Sequence, residues 1–220
     1  MKAFLLSMLL IYASIGASAQ VTAPKYQLTP LDSLLRQHVD TIFVFYTEAN
    51  SMLSNSSIAY ITKKDSLVNL FKYDMTFRRI PLLPKSLYTY LFKREILMMS
   101  DPKLRTINEN FQILDTPQDL SQQLWRDIMK FDPVNMQDDS TLGSGCREDE
   151  SAYTKGSIIE DHNIYDGGYL HLAMITKDEI NFFKFYSPNH FLQTCKPTTD
   201  RQTIVGIEKL ITQYIPIYKR

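Results

Sequence analysis

Apolar positions in the first part of the chain recur at helical spacing. Leu31, Leu35, His38, Ile42, Phe45, Ala49 and Met52 follow one another at alternating steps of four and three, which predicts one helix over 30–52. Pro30 stands at its start, where proline is tolerated. A turn at 54–57 leads to a short strand at 58–62, and Asp65 then reads as the N-cap of a second helix over 65–79. Pro81 and Pro84 break the pattern. Leu87, Leu91, Arg94 and Met98 predict a third helix over 86–99, stopped by Pro102. The clearest helix is 116–131: Thr116 can cap, Pro117 fits the first turn, and Leu120, Leu124, Ile128 and Phe131 form one apolar row beside Trp125.

The texture changes after Asp132-Pro133. Residues 132–168 are polar and acidic and hold five of the seven glycines (Gly143, Gly145, Gly156, Gly167, Gly168), so the stretch reads as a long loop. Two runs rich in aromatic and aliphatic residues follow at 169–176 and 180–186, separated by Lys177-Asp178-Glu179, the pattern of a β-hairpin. Both faces of the second run are largely apolar, so the hairpin should be covered on both sides. A last helix begins at Thr199-Asp200 and buries Ile204, Ile207, Ile211, Tyr214 and Ile215. These elements predict one α+β domain over 20–220, with a helix-rich N-terminal part packed against a C-terminal antiparallel hairpin or small sheet and a final helix.

Residues 1–19 belong to a different kind of segment. Lys2 precedes an apolar run at 4–17 that is too short to span a bilayer, and Ala17-Ser18-Ala19 offers a cleavage site before Gln20. The run predicts a secretory signal peptide and a product that is secreted or periplasmic. No cysteine lies near the junction to carry a lipid, so the mature chain is expected free in solution with no later membrane span. Loss of Lys2 leaves 23 basic against 24 acidic residues, which argues against a general nucleic-acid binder.

Charge is unevenly distributed along the chain. Residues 61–105 hold ten basic against four acidic side chains, whereas 132–166 hold nine acidic against two basic. Either the acidic loop folds against the basic segment, or one patch faces outward and meets a protein or ligand partner of opposite charge.

Two cysteines in an exported chain favour pairing, so Cys146 and Cys195 are expected to form a disulfide. On chain-entropy grounds a closed loop of this size contributes about 3–4 kcal/mol. A second arrangement makes Cys146, behind Gly143-Ser144-Gly145, a nucleophile with His171 as base and Asp161 or Asp166 orienting it. The acidic run Glu148-Asp149-Glu150 beside it would disfavour a thiolate. Asp161, His162 and His171, with Asp166, could also offer ligands to a divalent metal, although their spacing matches no metal motif. His38, on the apolar stripe of the first helix, reads as a core or boundary histidine, and no cofactor is implied.

Asp-Ser or Asp-Thr followed by an apolar residue or Thr occurs at Asp32-Ser33-Leu34, Asp40-Thr41-Ile42, Asp65-Ser66-Leu67 and Asp139-Ser140-Thr141. The pattern is similar to the tripeptide at which Bacteroidetes-type bacteria attach O-linked glycans to exported proteins. The same dipeptides also serve as ordinary caps and turns. Two function classes follow from the whole chain. The first is a non-enzymatic exported protein of the cell envelope or extracellular space that binds a partner through the acidic glycine-rich loop and the hairpin. The second is a hydrolase whose site lies where that loop meets the hairpin.

Overall fold

A computed structural model of the chain describes residues 26–48, 57–74, 105–108, 110–139, 146 and 167–217, together with positions 85, 86, 89, 93, 101 and 103. Residues 1–19, expected to be a signal peptide, and most of the acidic loop lie outside the described residues. The order is α1 (Pro30–His38), β1 (Thr41–Glu48), β2 (Ser57–Lys64), β3 (Leu67–Asp74), β4 (Phe111–Leu114), α2 (Gln118–Met129), β5 (Tyr169–Thr176), β6 (Ile180–Tyr186), α3 (Pro188–Thr194) and α4 (Thr199–Tyr214). The strands form one antiparallel sheet in the order β4-β3-β2-β1-β5-β6.

The mixed α+β class agrees with the sequence pattern, but the arrangement differs. Four of the six strands precede α2, so the N-terminal half is strand-rich rather than helix-rich. The helix expected over 30–52 stops at His38: Val39 is extended, and Thr41–Glu48 continues as β1. The local composition explains the switch. Ile42, Phe43, Val44 and Phe45 are consecutive apolar residues, all fully buried, which suits a central strand covered on both faces. The helix expected over 65–79 is also replaced, by β3. Asp65 and Ser66 form a two-residue turn between β2 and β3, with Lys64 paired to Leu67 and Asp65 in the left-handed region at φ 53°. Of the helix expected over 86–99, Ser86, Thr89 and Lys93 are helical, as is Lys85 just before it, and the other positions lie outside the described residues.

The remaining expectations agree more closely. The helix expected over 116–131 is α2, although Pro117 occupies the cap position and no side chain caps it. The hairpin β5–β6 forms as expected, and β5 pairs with β1 along its full length, so the hairpin extends the main sheet. The last helix, α4, is capped by Thr198, whose hydroxyl accepts from Arg201 N.

Helices cover both faces of the sheet. On one face Phe43, Phe45, Ile61, Leu70, Leu172 and Phe185 pack with Leu124 and Ile128 of α2 and Ile204, Ile207 and Ile211 of α4. Gly206 lets α4 approach closely, since a Cβ there would lie 2.6 Å from the Phe131 ring. On the other face Ile42, Val44, Ile58, Tyr60 and Ile175 pack with Leu31 of α1. A capping box fixes the start of α1: Thr29 Oγ1 accepts from Asp32 N, and Asp32 Oδ2 accepts from Thr29 N. The same carboxylate accepts from Tyr26 Oη at 2.9 Å. Burial, reinforced by the Asp32 charge, raises the Tyr26 and Tyr60 hydroxyls well above the ordinary tyrosine range.

Candidate functional site at the hairpin

The end of the hairpin nearest the acidic loop carries a set of polar and aromatic side chains on the α1 side of the sheet. Register brings them together. His171 of β5 lies opposite Tyr46 of β1 on one side and Lys184 of β6 on the other, while Tyr169 lies between Glu48 and Tyr186. Alternation along each strand sends all six to one face.

His171 is 3% exposed and packed among rings. Tyr46 stacks on it at 4.4 Å between centroids and 6° between planes, with Phe182 at 5.6 Å and Tyr169 at 6.0 Å. Its Nε2 lies 2.8 Å from Glu48 Oε2. Burial lowers the His171 pKa from 6.5 to about 4, because removing the ring from water outweighs the opposing pull of the Glu48 carboxylate. The ring is therefore neutral at pH 7. Since a carboxylate only accepts, the geometry assigns the proton to Nε2, which donates to Glu48. Nδ1 is then a buried acceptor with no hydrogen-bond partner among the described residues.

Glu48 is the exposed member, and Lys184 is half-buried beside it. The Glu48 side chain is 55% exposed, and Lys184 Nζ sits 3.6 Å from its Oε2 while lying 3.8 Å over the Tyr169 ring. Tyr186 packs beside Tyr169 at 5.0 Å, and its hydroxyl accepts from Gly167 N at 3.2 Å. Ser187 N donates to Gly168 O at 2.8 Å. The last glycines of the loop are thus fastened directly to the end of β6.

The other side of β6 is an outer edge of the sheet, and two aspartates cover it. Asp138 Oδ2 accepts from Lys184 N at 2.9 Å and Asp139 Oδ2 from Tyr186 N at 2.7 Å. Carboxylates on outward amides leave an approaching strand no donors there. Asp139 also meets the buried Arg201 guanidinium at 3.2 Å, tying the start of the loop to α4.

Of the predicted site residues, the structure describes Cys146, His171 and Cys195. Cys146 and Cys195 are joined in a disulfide, with Cα atoms 5.4 Å apart. While that bond is intact Cys146 has no thiolate, so its pairing with His171 in nucleophilic catalysis requires a reduced chain. His171 is at the loop–hairpin junction, but its near carboxylate is Glu48. Asp161, His162 and Asp166 lie outside the described residues, as do Gly143, Gly145 and Glu148-Asp149-Glu150. Among the described residues no group of three or more His, Cys, Asp or Glu side chains is placed to hold a metal ion. His38 is exposed at the end of α1 rather than in the core, a consequence of the helix ending there.

Glu48 and Lys184 were not singled out by sequence. Glu48 falls inside the stretch read as helix, where it has no relation to residue 171; alternation along 41–48 would have put it on the face of Tyr46. Searches of protein-family profiles, curated proteins and solved structures match nothing to this chain.

Proposed function

We propose that the chain is an exported, non-enzymatic binding protein of the cell envelope or extracellular space. Its partner engages the loop–hairpin junction through Glu48, Lys184 and Tyr169. The observation that carries the reading is the state of His171. An imidazole held near pKa 4 is a weak proton acceptor at neutral pH, where general-base catalysis favours a group titrating close to the working pH. The same neutral, buried ring is well suited to holding Tyr46 and the exposed Glu48 carboxylate in place beside the half-buried Lys184. The disulfide supports the reading by engaging the sulfur that a thiol hydrolase would use. It also favours an oxidising compartment, in line with the leader at 1–19.

The hydrolase alternative draws on one observation, the His171–Glu48 pair, which has the form of a base held by an orienting carboxylate. Two measurements separate the readings. A photoreactive side chain at exposed position 48 is expected to yield a discrete crosslinked species in the producing cells, whereas one at exposed position 113 on β4 yields none. Absence of any adduct from position 48 contradicts the binding reading. Ester hydrolysis by the oxidised chain that disappears in His171→Asn would establish the hydrolase instead.

A further inference from the structure

We propose that Ser66 is an acceptor for an O-linked glycan. Four Asp-Ser or Asp-Thr tripeptides that end in Leu, Ile or Thr occur in the chain, and their surroundings differ widely. In Asp32-Ser33-Leu34 the aspartate is fully buried, with Oδ2 taken by Tyr26 and the Thr29 amide, and the Ser33 hydroxyl donates to Thr29 O. In Asp40-Thr41-Ile42 the third residue is fully buried and Thr41 is paired on both sides, with Lys63 and Thr176. In Asp139-Ser140-Thr141 the aspartate is buried against Arg201 and the Tyr186 amide, and Ser140 lies outside the described residues.

Asp65-Ser66-Leu67 differs at each position. Asp65 and Ser66 are the exposed central residues of the β2–β3 turn, and Leu67 directly after them is 54% exposed. All three side chains of the tripeptide are therefore open to a transferase at once. The turn is held from behind by the Ser66 carbonyl, which accepts from Gln122 Nε2 at 2.9 Å, and by the Asp65 amide, which donates to Asp40 Oδ2 at 3.0 Å. Both fastenings use backbone groups, so the Ser66 hydroxyl can be substituted without removing either one.

The chemistry is a glycosyl transfer from a donor whose anomeric carbon carries a phosphate-type leaving group. Ser66 Oγ forms the new bond to that carbon and the bond to the phosphate oxygen breaks. The hydroxyl proton passes to a base of the transferase, and the phosphate carrier departs with the bonding pair. No oxidation or reduction takes place. The proposal rests on the export reading, since the acceptor must reach the compartment where exported chains are modified.

The test is peptide mass spectrometry of the chain purified from the cells that make it. Trypsin releases residues 65–72, in which Ser66 is the sole hydroxyl side chain, apart from the peptides 26–36 and 37–63 that carry Ser33 and Thr41. The expected result is peptide 65–72 carrying a glycan mass, with 26–36 unmodified and the N-terminal peptide starting at Gln20. Ser66→Ala abolishes the added mass and Ser66→Thr retains it. A bare 65–72 in a chain starting at Gln20 overturns the acceptor assignment and leaves export standing. A glycan on 26–36 or 37–63 with 65–72 bare overturns it too, while a chain retaining Met1 overturns the export reading and the acceptor assignment together.

Discussion

Acidification should remove a defined part of this protein's stability through His171. The folded chain holds that ring near pKa 4, against 6.5 for an exposed histidine, because burial among Tyr46, Phe182 and Tyr169 disfavours the cation. A depressed folded pKa means that the unfolded chain binds the proton more readily, so stability rises with pH. The contribution is fully present above pH 6.5 and is lost as pH falls from 6.5 toward 4. At about 1.4 kcal/mol per pKa unit the loss amounts to about 3 kcal/mol. Glu48 and Lys184 are the charged groups facing the ring, and the exposed Glu48 carboxylate only partly offsets the burial. Urea unfolding at intervals between pH 4.5 and 7.5 measures the effect, with His171→Phe as the comparison because phenylalanine keeps the stacked shape without titrating. The variant is expected to lose most of the slope over this window. An unchanged slope, or a His171 midpoint near 6.5 by NMR, refutes the reasoning.

Three further outcomes test other parts of the structure. Cys146→Ser and Cys195→Ser should lower stability by the same amount, about 3–4 kcal/mol for a crosslink spanning 49 residues, as read from melting curves; clearly different shifts would contradict a shared bond. Asp139→Ala removes the acceptor of the Tyr186 amide and a partner of buried Arg201, and should cost about 2–3 kcal/mol in chemical denaturation. Thr29→Ala deletes half of the capping box that starts α1 and should cost about 1 kcal/mol, with hydrogen exchange quickening at the Asp32 amide.

The parts legible in the sequence were those with a single period and clear punctuation. Residues 169–186 alternate on either side of a charged turn, and 116–131 carries one apolar row, so β5, β6 and α2 could be placed within a few residues. The stripe from Leu31 to Met52 misled because two periods overlap. Positions 42 and 45 fit the helical spacing that begins in α1, yet Phe43 and Val44 between them are equally apolar, the mark of a strand buried on both faces. Asp65 misled because the same residue type suits an N-cap and a left-handed turn position. The site suffered from the first error: His171 could be picked out as a histidine on a strand beside a glycine-rich loop. Its partner Glu48 could not, since pairing between residues 123 apart depends on strand order that local pattern does not contain.

Export underlies the disulfide's compartment, the binding reading and the Ser66 acceptor alike, and the intact mass of the protein isolated from its producing cells tests it most directly. The expected species starts at Gln20, and its peptide moiety is lighter by two hydrogens than the fully reduced chain. A full-length chain beginning at Met1, with both Cys146 and Cys195 free to react with a thiol reagent, would contradict it.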